Sequence, residues 1–161
     1  RIYVSESAKI EDLGPGRDPA WHPIEDKIVF NGTNDVGGES GLWLMDSAGN
    51  NRVRLTGNGE DRRPTWAPDG RFLVYMSKRN GNWDLYRLDL ATQEETRLTD
   101  NAAQDGLPSV SPDGQWVAFA SDREGFWRIW VMPSEGGDEI AVVNIKGVLL
   151  NWLEHAIQWI P

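Results

Sequence analysis

The stretch RRPTWAPDGRFLVY at residues 62–75 returns at residues 106–119 as GLPSVSPDGQWVAF. Its Pro-Asp-Gly tripeptide, at 68–70, reappears 44 residues later at 112–114. Pro-Asp-Gly favours a tight turn, because Pro fixes φ while Asp and Gly tolerate the tight and left-handed positions. Since an apolar run follows each copy, the sequence predicts a turn that joins two β-strands and recurs because a larger unit recurs.

Each repeat unit contains four short runs typical of β-strands. A weaker first copy begins at residues 18–23, where DPAWHP aligns with RPTWAP at an offset of 45. The predicted second strands are 27–30, 72–75 and 116–119, the third strands 42–45, 85–88 and 129–132, and the fourth strands 53–56, 96–99 and 141–143. Four strands in about 44 residues are typical of one β-propeller blade.

The sequence therefore predicts an all-β fold, a β-propeller of four-stranded antiparallel blades. Three blades should be whole (16–58, 59–102 and 103–146), with the end of a blade at 1–15 and the start of another at 147–161. Equivalent positions are predicted for Trp21, Trp66 and Val110 on first strands and for Phe30, Tyr75 and Phe119 on second strands.

The two ends of the chain carry incomplete blades in this alignment. Residues 2–4 and 10–13 match third and fourth strands, and 158–161 match only the start of a first strand. Open strand edges expose unpaired N–H and C=O groups, which proteins cover or pair. We expect further blades, closure between the two ends, or self-association through the open edges.

Composition excludes several kinds of partner and site. The net charge of −9 disfavours binding to nucleic acid and favours a basic protein segment or a cation. The chain has no cysteine and therefore no disulfide or thiolate metal site. No apolar run is long enough for a membrane span, and we predict no cofactor.

Catalytic and metal patterns are weak. Residues 38–42 read GESGL, whereas a nucleophile elbow needs Gly-x-Ser-x-Gly, so we predict no enzyme activity centred on Ser40. His22 and His155 are the only histidines, too few for a zinc site without carboxylates at a supporting spacing. The loops 31–35 and 58–61 are rich in oxygen ligands but lack EF-hand spacing, which favours polar turns over a calcium site.

The repeat itself resembles a known family. The carrying residues are PTWAPDG at 64–70, SKRNG at 77–81 and Leu85-Tyr86, which recur at 108–114, 121–125 and Ile129-Trp130. This pattern is similar to the WD40-like PD40 repeat of TolB-type propellers. The resemblance implies a non-catalytic scaffold that binds a protein or peptide, in a periplasmic or extracellular setting.

Charged loop residues form the candidate partner-binding site. Because strands alternate in direction, the inter-blade loops and the loops between second and third strands should share one face. The predicted residues on that face are Asp61, Asp105, Glu154, Arg79 and Arg123. Two interpretations remain open: a recognition surface, or a structural network in which the acids and arginines pair between blades.

Alternative functions remain open at this point. One alternative is an accessory propeller of a prolyl-oligopeptidase-like serine peptidase, since related repeats occur there. Another is the sensor region of a membrane-anchored regulator. The apolar stretch at 145–153 departs from the polar inter-blade loops before it. It fits a variant loop, a lid on the channel, or a surface for another blade or chain.

Overall fold

The computed structural model describes residues 1–6, 9–32, 40–145 and 151–159. Strands β1 (Ile2–Glu6) and β2 (Lys9–Gly14) form a hairpin. The first four-stranded sheet contains β3 (Arg17–Trp21), β4 (Ile28–Gly32), β5 (Gly41–Met45) and β6 (Val53–Arg54). The second contains β7 (Arg62–Trp66), β8 (Phe72–Ser77), β9 (Asp84–Asp89) and β10 (Glu95–Arg97). The third contains β11 (Asp105–Val110), β12 (Trp116–Ser121), β13 (Arg128–Pro133) and β14 (Ile140–Asn144).

Each of these three sheets is an antiparallel meander in sequence order. A 3₁₀ turn follows at Trp152–Glu154. The predicted β-propeller architecture of four-stranded blades is confirmed. We call the sheets blades 1, 2 and 3.

The predicted register is confirmed as well. The inner-strand positions pair Trp21 with Ile28, Trp66 with Leu73 and Val110 with Val117. The second-strand aromatics pair Phe30 with Trp43, Tyr75 with Tyr86 and Phe119 with Trp130. Since side chains alternate between the two faces of a strand, this register places side chains at equivalent positions on the same face of every blade.

The core lies between neighbouring blades. One cluster joins blades 2 and 3 through Val74, Met76 and Leu85 against Val117 and Phe119. The corresponding clusters join blade 1 to blade 2 and the N-terminal hairpin to blade 1. Each blade therefore has two apolar faces, and its stability depends on a neighbour to cover each of them.

Each inner strand contains a bulge with a left-handed residue before a proline. Asp18, Arg63 and Leu107 have φ of 49°, 54° and 55°. Pairing with the second strand shifts register at each of these points. A left-handed conformation costs a non-glycine residue about 1–2 kcal/mol. All three blades have this strained conformation at the same position of the inner strand, where the inner strands approach one another.

The C-terminal segment differs from the prediction. Residues 155–159 form no strand, whereas the sequence matches 158–161 to the start of one; residues 160 and 161 lie outside the described part of the chain. A strand needs hydrogen bonds to a neighbouring strand, and none of the described strands pairs with this segment. The indole N–H of Trp159 donates to the carbonyl of Ser109 at 3.0 Å. The segment therefore lies beside the inner strand of blade 3.

Candidate functional site

Two equivalent charged clusters stand at the predicted position in blades 2 and 3. The guanidinium of Arg79 contacts Asp61 at 2.7 Å and Glu95 at 2.6 Å. Arg123 contacts Asp105 at 3.0 Å and also pairs with Glu139. We call each group an arginine clasp, because one guanidinium joins an acid beside or on the inner strand to an acid beside or on the outer strand.

Aromatic rings and serines complete each clasp. Arg79 lies over the ring of Tyr86 at 4.4 Å, and Arg123 lies over Trp130 at 4.5 Å. The arginine Nε donates to the hydroxyl of Ser77 at 3.1 Å in one clasp and of Ser121 at 2.9 Å in the other. Cation–π contacts and charge-assisted hydrogen bonds hold the guanidinium more rigidly than an isolated surface ion pair would.

The inner acids of the clasps are buried. Asp61 and Asp105 are 0% exposed, so their charges depend on the arginines for compensation. Burial alone would lower the pKa of Arg79, but its bonds to Asp61 and Glu95 raise that pKa overall. Burial raises the pKa of Tyr75, and its hydrogen bond to Glu95 raises it further. Arg79 therefore stays charged and Tyr75 stays neutral across the physiological range of pH.

The two clasps differ at one acid oxygen. Asn101 Nδ2 donates to Asp105 Oδ2 at 2.6 Å, so both oxygens of Asp105 have donors. Asp61 Oδ2 is buried and accepts no hydrogen bond within the described residues. The inner acid of the blade 3 clasp thus has hydrogen-bond donors for both oxygens, whereas that of blade 2 has a donor for one. The two clasps can therefore be compared as a matched pair.

Blade 1 has a glycine where the clasp has its acid. Gly16 occupies the position of Asp61, and a Cβ there would lie 2.5 Å from Ile2 Cδ1 and 2.8 Å from Phe30 Cδ2. Apolar packing by the N-terminal hairpin thus fills the place of the acid. The equivalent of Arg79 falls at residue 34, outside the described residues.

The structure brings together four of the five predicted site residues, in the pairs Asp61–Arg79 and Asp105–Arg123. These pairs lie within one blade rather than between blades, because each loop arginine reaches the acid of its own inner strand. Glu154 ends the 3₁₀ turn, and its side chain is not among those described. Partner recognition by these five residues stays a prediction.

Sequence reasoning missed the outer acids, Glu95 and Glu139. Their separation is again 44 residues, the same as that of the two arginines. The signal was present in the repeat. Both acids stand at the outer strand and not in the loops that carry the arginines.

A cavity of about 150 Å³ lies where the inner strands meet. Its lining contains the left-handed residue and the proline of each bulge together with three C-terminal residues: Asp18, Pro19, Arg63, Pro64, Leu107, Pro108, His155, Ala156 and Ile157. Arg63 Nε lies 3.6 Å from Asp18, and its Nη2 donates to the carbonyl of Leu153. The cavity is therefore a small axial site with an ion pair on its wall and the exposed His155 at its rim.

The weak catalytic and metal candidates gain no support from their surroundings. Ser40 Oγ accepts a hydrogen bond from Arg54 at 3.2 Å, and the rest of its loop, 33–39, lies outside the described residues. His22 Nδ1 accepts the backbone N–H groups of Ile24 and Glu25, which fixes the imidazole in its own turn. Within the described part of the chain, no group of three or more His, Asp or Glu side chains could hold a metal ion.

The candidate calcium loops have ordinary turn geometry where they are described. Asn58 Oδ1 accepts the N–H of Glu60, and the Asn58 carbonyl accepts the N–H of Asp61. The other loop falls mostly in 33–39, outside the described residues. Among the described ranges, no helix has the length and apolar character needed to cross a bilayer.

Comparison with known proteins agrees with this geometry. The family model described as PD40, the TolB beta propeller domain, matches residues 58–149. The chain belongs to the TolB β-propeller family. The TolB homolog of Chlorobium chlorochromatii is 33% identical over 79 residues, covering 48% of this chain and 17% of the homolog. A Tol-Pal system protein TolB from Ruthia magnifica is 26% identical over 105 residues, covering 62% of this chain and 25% of that protein. The matches thus span a quarter or less of these two curated relatives.

Solved structures place the TolB-family chain in the same fold. TolB from Acinetobacter baumannii superposes with a TM-score of 0.74 at 23% identity, covering 90% of this chain and 37% of that one. A putative TolB from Agrobacterium tumefaciens gives 0.71 at 25% identity, covering 86% and 55%. An oligogalacturonate lyase, with 0.63 at 23% identity over 86% of this chain and 40% of its own, shares the fold alone. The same architecture therefore also occurs in an enzyme, and the fold alone does not decide the function.

Proposed function

We propose that this TolB-family chain is a non-catalytic scaffold that binds a protein or peptide partner, in a periplasmic or extracellular setting. The observation that carries the proposal is the axial cavity. Three strained bulges and a charged pair surround it, and strained backbone in folded proteins concentrates at binding and catalytic sites. Relatives named as Tol-Pal system proteins support a partner that is itself a protein.

The recognition face in this proposal is the one that carries the arginine clasps. The inner acid of each clasp lies two residues before a cavity-lining residue with left-handed backbone conformation. Asp61 precedes Arg63, and Asp105 precedes Leu107. The carboxylates of Asp61 and Asp105 are buried and cannot touch a partner, so in this proposal the clasps position the loops while exposed groups such as His155 make the contacts. The net charge of −9 favours a basic segment as the partner.

Selection of random displayed peptides on the purified chain tests this function. We expect basic peptides to be enriched and their affinity to fall as salt screens the attraction. His155→Ala should weaken binding about fivefold or more, whereas Ile24→Ala should not, because Ile24 lies in the turn at the opposite end of blade 1. Absence of enriched peptides, or equal losses in both variants measured by fluorescence anisotropy, would contradict the proposal.

A second candidate is an accessory propeller of a serine peptidase. A puromycin hydrolase superposes with a TM-score of 0.63 over 84% of this chain, and at 21% identity it shares the fold alone. In that case the catalytic groups would belong to a separate domain. The chain itself should still lack hydrolase activity.

We expect no turnover of p-nitrophenyl acetate above the buffer rate by the purified chain. Ser40 has an arginine as its described partner and no histidine, so nothing activates its hydroxyl. Ser40→Ala should therefore change nothing. Turnover by the wild type that disappears in this variant would show the scaffold assignment to be wrong.

A further inference from the structure

A tryptophan after blade 3 fills a gap that a single glycine leaves in the inner strand of that blade. Gly106 pairs with Ala120, and the corresponding positions of blades 1 and 2 are Arg17 and Arg62. A Cβ on Gly106 would lie 2.6 Å from Cζ3 of Trp152. The glycine therefore makes room for the indole at a position where the other two blades have an arginine side chain.

Backbone conformation does not explain this glycine. Gly106 does not have a positive φ, so an alanine could adopt its backbone conformation without strain. It is buried, and the atoms nearest to its missing side chain are two ring carbons of Trp152 and Cε of Met76 at 3.0 Å. Close packing around the indole is thus the physical reason for the glycine.

Two other tryptophans complete the socket. The indole of Trp152 meets that of Trp83 edge-on, with 6.4 Å between ring centroids, and lies 4.8 Å from that of Trp127. Contacts of this kind favour defined relative orientations of the rings. We call Gly106, Met76, Trp83 and Trp127 the tryptophan socket. Its walls come from blades 2 and 3, so the bound indole joins these two blades.

The turn that begins at Trp152 carries groups of the axial cavity. The N–H of His155 donates to the carbonyl of Trp152 at 3.1 Å, which closes the 3₁₀ turn. The carbonyl of Leu153 accepts a hydrogen bond from Arg63 in the cavity wall. Residues 155–157 then line the cavity itself. The socket therefore holds the chain immediately before the residues that complete the cavity.

We propose that Trp152 is a positioning residue for the axial cavity. Its indole, held in the tryptophan socket, fixes the turn that places the Leu153 carbonyl on Arg63 and His155 at the rim. The effect on binding rests on the proposed function, whereas the anchoring of the turn does not. The opposite role, in which an aromatic side chain of a partner takes the socket, would have to overcome the high effective concentration of an indole tethered in the same chain.

Hydrogen exchange with and without free indole tests the anchoring. In Trp152→Ala the amide of His155 should exchange about tenfold faster or more, because its turn is released, while the amides of β8 and β12 keep their rates. Free indole should restore slow exchange by filling the empty socket, as apolar molecules fill cavities left by truncated side chains. The matched control is Trp116→Ala, at a tryptophan beside the Pro-Asp-Gly turn of blade 3 that is 38% exposed. It should leave the exchange of His155 unchanged.

Two outcomes overturn the anchoring. Unchanged exchange at His155 would show that the socket does not hold the turn, and an equal rise throughout blades 2 and 3 would show that Trp152 is an ordinary core residue. Gly106→Ala gives an independent check, because it crowds the indole without removing it. It should speed exchange at His155 when Trp152 is present and have no further effect in Trp152→Ala.

Binding of a fluorescein-labelled oligolysine peptide tests the positioning role. Trp152→Ala should weaken binding about fivefold, as His155→Ala does, and the double variant should bind no weaker than either single variant. Indole should restore the affinity of Trp152→Ala. An affinity of Trp152→Ala equal to or above that of the wild type would overturn the positioning role. A wild type that does not bind the peptide contradicts the proposed function and this role with it, while the exchange rates still decide the anchoring.

Discussion

Asp105→Ala is expected to lower the free energy of unfolding by about 3–5 kcal/mol. The substitution leaves the guanidinium of Arg123 partly buried against Phe119 and Trp130 without its inner acid. It also removes the acceptor of Asn101. Asp61→Ala should cost less, because one oxygen of Asp61 accepts no hydrogen bond within the described residues. Urea denaturation of the two variants and the wild type measures the difference.

A control for the clasp is the exposed pair Glu124–Arg128, where Glu124→Ala should change stability by about 0–1 kcal/mol. The double variant Asp105→Ala/Arg123→Met should recover part of the lost stability, because both charges are removed together.

Stability and peptide binding of the Asp105→Ala variant together distinguish the two interpretations of the predicted site. Unchanged stability with lost peptide binding would identify Asp105 as a recognition residue; lost stability with binding retained by the folded fraction would identify a structural clasp.

Gly70→Ala is expected to destabilise the chain by about 2–4 kcal/mol, the sum of a left-handed alanine and a steric clash. Gly70 has φ of 71°, and a Cβ there would lie 2.2 Å from Nε2 of His22. The imidazole cannot easily move away, because its Nδ1 is held by two backbone N–H groups and its ring packs on Trp66 at 4.5 Å. Thermal and urea denaturation give the magnitude.

The equivalent glycine of blade 3 provides the matched control for this turn. Gly114 has φ of 74°, but its Cβ would meet Pro68 Cδ at 3.4 Å, an ordinary contact. Gly114→Ala should therefore cost only about 1–2 kcal/mol. His22→Ala, which introduces the residue found at the equivalent Ala67, should reduce the excess cost of Gly70→Ala. Equal losses at both glycines would show that backbone conformation alone decides the effect.

Local repetition explains why so much of the fold could be predicted. The Pro-Asp-Gly turns set where strands end, and the period-two alternation sets which side chains share a face. Both signals act over a few residues and recur every 44 residues. Tyr75 and Phe119 could therefore be aligned without knowledge of the residues around them in space. The same repetition brought Arg79 and Arg123 into the candidate site.

Contacts between distant segments explain what could not be predicted. The 44-residue repeat marks Glu95 and Glu139 as equivalent positions, but it does not show that Glu95 closes the clasp of blade 2, because its 2.6 Å contact with Arg79 depends on how the outer strand crosses the blade. No local pattern shows that Ile2 takes the space of an acid in blade 1, since these residues meet only through packing of the hairpin. Contacts between segments distant in sequence depend on the shapes of the surfaces that pack together and on which groups lose contact with water.

The sequence by itself determined the blades, their register and the positions of the clasp arginines, because turn chemistry and strand alternation are local properties of the chain. Only the tertiary structure decided that Asp61 and Asp105 are buried within their own blades and that 155–159 lies beside blade 3 without joining a sheet. Burial and pairing depend on which surfaces meet in space. The same charged residue is a surface group or a structural ion according to whether the folded structure removes it from water.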